Sequence, residues 1–238
     1  MHRVPRLPEP LRYAVPQGEF LDGIEARLRP HGFSPGSTLA AVSICRDELT
    51  QQLIAEVTRR WGPTFSLGGL GGIPSLGRTG WGACLSHVPD TEGRGKLLVI
   101  GASHIGVRHD GSLGENLRFH QHDATATCGA LRALLQTWGE HPPSGPDASG
   151  LGDVEAELLR GLVEAQLGSA PADIVELTTA ATAAVEHEMT AQLEALGPWD
   201  RMDVAVFSGI QLHLDGIDDL FVEIHGVLHG EHGTVTAL

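Results

Sequence analysis

Two brief runs rich in Leu, Val, Ile and Ala constrain this chain more than any other feature: Leu39 to Ile44 (LAAVSI) and Lys96 to Ile100 (KLLVI). Each is long enough for a strand buried inside a sheet that helices cover. Between them Asp47 can cap a helix in which Leu49, Leu53, Ile54, Val57 and Trp61 recur at helical spacing, giving one apolar face to pack on that sheet. Each run also stops beside a residue that can bind metal. The first leads into Cys45-Arg46-Asp47, and the second into Gly101-Ala102-Ser103-His104.

The remaining pattern extends the same α/β reading. Residues 62–90 are rich in glycine without a clear period and read as a long loop, the kind that a compact domain keeps for function. Cys128 opens a helix with Leu131, Leu134, Leu135 and Trp138 on one side, and Thr125 or Thr127 is its expected cap. The prolines and glycines of His141 to Gly150 mark a linker. Two helices follow, Asp153 to Gln166 and Ala172 to Leu196. Strands bent near Ser208-Gly209 are expected over Met202 to Leu214, with a further strand at Leu220 to Leu228. Residues 1–30 read as a proline-punctuated N-terminal arm with one helical piece at Gly18 to Leu28, and 31–238 as one α/β domain, a central sheet covered by helices. A chain of 238 residues with 41% apolar content fits one large unit better than two.

Charge and composition exclude several classes of function. Sixteen basic against thirty acidic residues give a formal net charge of -14, the wrong balance for a nucleic-acid partner, which needs clustered Lys and Arg. The start lacks the apolar segment of a secretory signal, and no run reaches the roughly 18 apolar residues of a membrane span, so a cytoplasmic protein is expected. Three cysteines are too few for a disulfide framework, which leaves them reduced, buried or metal-bound. The glycine-rich loop lacks Gly-Lys-Ser/Thr and is no phosphate cradle.

Cys45, His104 and Cys128 each stand at the end of an element, two after strands and one at a helix start. In open α/β sheets the carboxyl ends of strands are where sites assemble. A Cys2His set suits zinc and leaves a fourth tetrahedral position for water, as catalytic sites do. The spacing matches no zinc-finger pattern, and a plainer reading stays open: buried cysteines are commonly small hydrophobes, as Cys84 is read, and His104 can be a hydrogen-bonded structural residue. Asp47, two positions from a thiolate, can orient a metal-bound hydroxide, and Arg46 can hold Asp47 ionised. Their plainer roles are a helix cap and a surface cation. Two thiolates cancel the charge of Zn2+, so such a site acidifies water less than an all-histidine one unless a cation and a dry pocket compensate. Phe65, Leu70, Ile73 and Trp81 are candidate walls. Arg78 in the glycine-rich loop is a candidate for binding a small anion or a neighbouring carboxylate, and His87 for moving protons near neutral pH. A thiol enzyme using Cys45 or Cys128 is a rival, though no Cys-x-x-Cys pair exists.

Several ordered motifs resemble one family. Cys45-Arg46-Asp47-Glu48 after a strand, Gly77-Arg78-Thr79-Gly80, Ser86-His87-Val88-Pro89, Gly101-Ala102-Ser103-His104-Ile105-Gly106 and Cys128-Gly129-Ala130 look like the limiting-CO2-inducible protein B/C family, related to the beta carbonic anhydrases and overlapping the theta class. The resemblance implies zinc on Cys45, His104 and Cys128, an Asp47 and Arg46 pair beside the metal water, a beta-carbonic-anhydrase-like fold, a homodimer, and CO2 and bicarbonate as substrates. The expected activity is zinc-dependent reversible hydration of CO2 by a metal-bound hydroxide; the alternative is a non-catalytic zinc or bicarbonate-binding homologue with a structural or sensing role. The ordinary beta class places its Arg two residues after the Asp and its second Cys close behind the His. Leu49 and Gly106-Val107 occupy those neighbourhoods here, which assigns the likeness to the divergent branch.

Overall fold

Both apolar runs are neighbouring strands of one sheet. The computed structural model describes residues 5–90, 93–119, 121–140, 153–216 and 218–238. The strands are β1 (Val15–Pro16), β2 (Thr38–Ile44), β3 (Phe65–Ser66), β4 (Gly95–Val107), β5 (Glu115–Asn116), β6 (Thr125–Ala126), β7 (Met202–Leu214), β8 (Leu220–His229) and β9 (Val235–Ala237). The α-helices are α1 (Gln17–Leu28), α2 (Gln51–Trp61), α3 (Gly77–Ser86), α4 (Gly129–Gln136), α5 (Val154–Leu167) and α6 (Ile174–Leu196).

Among the described residues the main sheet runs β1-β8-β7-β4-β2-β3, with β9 beside β8. The pairs β3/β2, β2/β4 and β4/β7 are parallel, whereas β8 is antiparallel to β7, β1 and β9. Leu97, Val99, Val204 and Val206 pack into one cluster with side chains of α3, α4, α5 and α6. Leu98, Ile100, Ala205 and Phe207 pack with α1 and α2. Consecutive residues of β4 and β7 thus feed two helical layers, the three-layer arrangement that strands without polar alternation require. No helix among the described residues is long and apolar enough to cross a membrane.

Several expectations change in the structure. Of residues 1–30, the helical piece expected at Gly18 to Leu28 is α1, which buries Phe20, Leu21, Ile24 and Leu28 against the sheet, while Val15 and Pro16 add a pairing with β8. The stretch 62–90 is not one loop, because it contains β3 and the ten-residue α3. Glycine weakens a helix in isolation, and here the buried Trp81, Cys84 and Leu85 supply tertiary packing in its place. Strand β4 does not stop before His104 but runs on to Val107. Its continuation, Gly101 to Gly106, carries small residues because neighbours lie close: a Cβ at Gly101 would fall 2.4 Å from Met189 Cε of α6. Met202–Leu214 is a single strand, with a register shift between Ser208 and Gly209 where the bend was expected. Helix α4 is capped at Cys128, without a side-chain cap from Thr125 or Thr127. The linker at 141–150 lies outside the described residues.

Candidate metal centre

Cys45 directly follows β2, whose last residue Ile44 pairs with Ala102, so the chain leaves β2 beside His104 on β4. Cys128 arrives from the far side of β4, and the path it takes explains Gly106. A Cβ there would stand 2.0 Å from Thr127 Oγ1 and 2.2 Å from the Glu115 carbonyl oxygen, so only glycine lets the segment before Cys128 lie on the strand. The glycine-rich stretch comes as close from another direction. A Cβ at Gly72, whose φ is +93°, would meet the Ala102 carbonyl oxygen at 2.2 Å. Ser43 and Ser103 donate to the carbonyls of Gly72 and Gly71 at 2.8 and 3.1 Å. The loop backbone is thus tied to both strand ends that carry ligand candidates.

These constraints bring Cys45, His104 and Cys128 together, all buried, with one donor atom from each lying within 4.8 Å of the others. The two sulfurs are 4.0 Å apart and unbonded. Zn–S bonds of about 2.3 Å at a tetrahedral angle would hold two sulfurs about 3.8 Å apart. Buried His104 Nε2 has no hydrogen-bond partner, an uncompensated position that a metal ligand would relieve. Chemistry and geometry therefore fit a metal: the cluster offers two thiols and one imidazole nitrogen without a partner. The Cys128 thiol, 4.0 Å away, and the Asp47 backbone N–H lower the Cys45 thiol against the opposing effect of burial. By the same contact, and by burial, Cys128 is pushed well above its ordinary value. Cys84 lies outside the cluster, and burial raises its thiol to about 12.

Asp47 caps the short 3-10 turn that precedes α2, accepting the Leu49 N–H at 3.1 Å. Its charge partner is not Arg46. The Arg46 guanidinium points away to Glu155, at 2.5 Å, and is mostly exposed. Arg118 grips both carboxylate oxygens instead, Nη1 to Oδ1 at 2.9 Å and Nη2 to Oδ2 at 2.8 Å. Nη2 also donates to the carbonyls of Ala126 and Thr127, at 2.8 and 3.0 Å. One guanidinium therefore joins the Asp47 turn to the segment leading into Cys128. Burial alone would raise the Asp47 carboxyl, but the bonds from Arg118 and the Leu49 N–H outweigh it and hold the group below the usual carboxylate range. The guanidinium on Asp47 thus comes from a distant loop, 71 positions along the chain.

A second chain of contacts lies behind the imidazole. His104 Nδ1 is 3.1 Å from His213 Nε2, and His213 Nδ1 is 2.9 Å from Asp219 Oδ2. Burial pushes His213 below its ordinary value, against the opposing effect of Asp219. His104 pairs with Gln211 in the register of β4 and β7, so His213 lies two residues further along on the same face. Leu67, Ile73, Trp81, Leu131 and Leu159 pack in the same apolar cluster as Cys45 and Cys128, with Phe65 and Leu70 partly buried against it.

Arg78 and His87 are exposed, in α3 and at its C-terminal end, and among the described residues neither makes a hydrogen bond or ion pair to the cluster. His87 instead meets Phe65 edge-on, with ring centroids 5.6 Å apart. Sequence reasoning missed Arg118, His213 and Asp219. Arg118 had no local signal. Gln211 and His213 did, as alternate polar residues between Ile210, Leu212 and Leu214, a row that one buried face must satisfy.

In comparison with known proteins, the model of a family described as limiting CO2-inducible proteins B/C beta carbonic anhydrases matches residues 14–225. The chain is similar to the crystal structure of PtLCIB4, a homolog of the limiting CO2-inducible protein LCIB, with a TM-score of 0.80 and 28% identity over 94% of each chain. The structure of LCIB itself aligns with a TM-score of 0.73 and 24% identity, over 95% of this chain and 94% of that one, a likeness of fold. No curated protein sequence matches the chain.

Proposed function

Because this chain belongs to the family of limiting CO2-inducible protein B/C beta carbonic anhydrases, we propose that it catalyses the reversible hydration of CO2 to bicarbonate at zinc held by Cys45, His104 and Cys128. The observation that carries this reading is buried His104 Nε2, left without a hydrogen-bond partner within reach of two sulfurs. Zinc supplies Lewis acidity, which makes hydroxide available near neutral pH.

The chain's own residues would do the rest. Asp47 is ionised across the neutral range, and with both oxygens held by Arg118 and the Leu49 N–H it stays beside Cys45 rather than closing on the metal. Its free lone pairs accept the hydrogen bond of the attacking water and aim that water at carbon. Leu67, Ile73 and Trp81, in the same apolar cluster as Cys45 and Cys128, would give uncharged CO2 an apolar surround and keep competing water out. Arg46, at the surface on Glu155, stands outside the reacting group, and Arg78 and His87 are assigned outer roles in bicarbonate capture and proton exchange. We extend the proposal to a cytoplasmic homodimer. Exposed Leu117 and Phe119 flank Arg118, and exposed Val154 precedes Glu155, apolar surface that a partner subunit would cover.

Stopped-flow hydration of CO2 by zinc-loaded protein tests the reading. The expected result is a zinc-dependent rate that rises with pH through the neutral range. Stoichiometric zinc without hydration would instead support a binding homologue that uses the same ligands to hold shape or sense inorganic carbon.

A further inference from the structure

The buried polar row behind His104 is costly to assemble and is not needed to bind CO2. Asp219, His213, Gln211 and Gln17 are all buried. Gln211 Nε2 donates to Asp219 Oδ2 at 3.0 Å and to Gln17 Oε1 at 2.8 Å, and the Gln17 N–H donates to the Asp219 carbonyl at 3.0 Å. The carboxylate is thereby fixed from β7 and from the start of α1, with Oδ2 facing His213 Nδ1.

Its presence selects one arrangement of protons. A carboxylate beside His213 Nδ1 requires the proton there, because a bare nitrogen lone pair would face negative charge. His213 Nε2 is then an acceptor and accepts the hydrogen bond of His104 Nδ1–H, at 3.1 Å. His104 is left with a bare lone pair on Nε2, the atom without a partner beside the two sulfurs. The opposite arrangement puts an N–H on His104 Nε2, where it would block a metal.

We propose that Asp219, acting through His213, is a positioning residue that fixes the tautomer and ring direction of His104 and so sets the metal affinity of the site. Carboxylate-to-imidazole contacts outside a metal's ligands raise ligand basicity and hold the ring. Here the effect passes through a second imidazole. The inference rests on the reading of the cluster as a metal site, and the two are tested apart.

The experiment combines the imidazole 15N NMR spectrum of the metal-free protein with zinc affinity measured by chelator competition, for wild type and Asp219→Asn. In wild type His104 is expected to be protonated at Nδ1. In Asp219→Asn a mixture of tautomers is expected, with zinc bound about 10-fold to 100-fold more weakly, while the thermal unfolding of the metal-free protein stays close to wild type. A purely structural role for Asp219 would move the unfolding and leave the His104 tautomer alone. Wild-type zinc affinity together with an unmoved tautomer in Asp219→Asn overturns the relay and leaves the metal site intact. A wild type that takes up no zinc overturns the site itself. Should Asp219→Asn not fold, His213→Gln, which keeps an acceptor for His104 Nδ1–H, is expected to hold zinc more tightly than His213→Leu; equal affinity overturns the relay.

Discussion

Cys128→Ser is expected to come off purification with its zinc lost, whereas wild type carries one ion per chain and Cys84→Ser keeps it. Serine preserves the shape of a buried side chain at the start of α4 but replaces a polarisable thiolate by a neutral hydroxyl that zinc binds poorly. The loss in affinity should exceed the roughly 10-fold to 100-fold that changes outside the ligands produce. Cys84 is the internal control: it is equally buried but lies outside the cluster. Elemental analysis of the three proteins, with circular dichroism to confirm folding, reads the result. Zinc retained by Cys128→Ser at the wild-type level would remove Cys128 from the ligand set.

Asp47→Asn is expected to lower CO2 hydration by about 100-fold or more, while zinc content stays at the wild-type level. The amide keeps the size and the cap to the Leu49 N–H, but it loses the charge that Arg118 neutralises and replaces one acceptor by a donor. Arg118→Ala should reach a similar loss by another route, since it frees the carboxylate and leaves the carbonyls of Ala126 and Thr127 without their donor. Arg46→Ala is expected to cost much less, because its guanidinium is mostly exposed and held by Glu155. Stopped-flow rates on zinc-loaded variants check the order. A larger loss in Arg46→Ala than in Arg118→Ala would return the partnership with Asp47 to Arg46.

How much of this was legible in the sequence depends on how local each cause is. Strands β2 and β4 were visible because a doubly covered strand must be apolar throughout, and α2 because Leu53, Val57 and Trp61 repeat at helical spacing. The three ligand candidates could be singled out because each stands at or near the end of an element. Helix α3 was hidden, since Gly77, Gly80 and Gly82 argue against a helix that only packing of Trp81, Cys84 and Leu85 sustains. The end of β4 was hidden for a similar reason: Gly101, Ser103 and Gly106 look unlike a strand, although close neighbours demand small side chains there.

Charge partnership was the least legible feature. Arg46 lies next to Asp47 in sequence, but consecutive side chains need not face the same way, and Arg118 reaches Asp47 from 71 positions away. The row from His104 through His213 to Asp219 likewise needed the register of β4 on β7, which sequence periodicity does not provide.

The central claim is that Cys45, His104 and Cys128 share one zinc ion with a corner left for solvent. Zinc K-edge X-ray absorption on the purified wild-type protein tests it most directly. Two sulfur scatterers at about 2.3 Å are expected, with light atoms at about 2.0–2.1 Å that include an imidazole and one further oxygen. A zinc shell built of nitrogen and oxygen alone, or a protein that takes up no zinc, would contradict it.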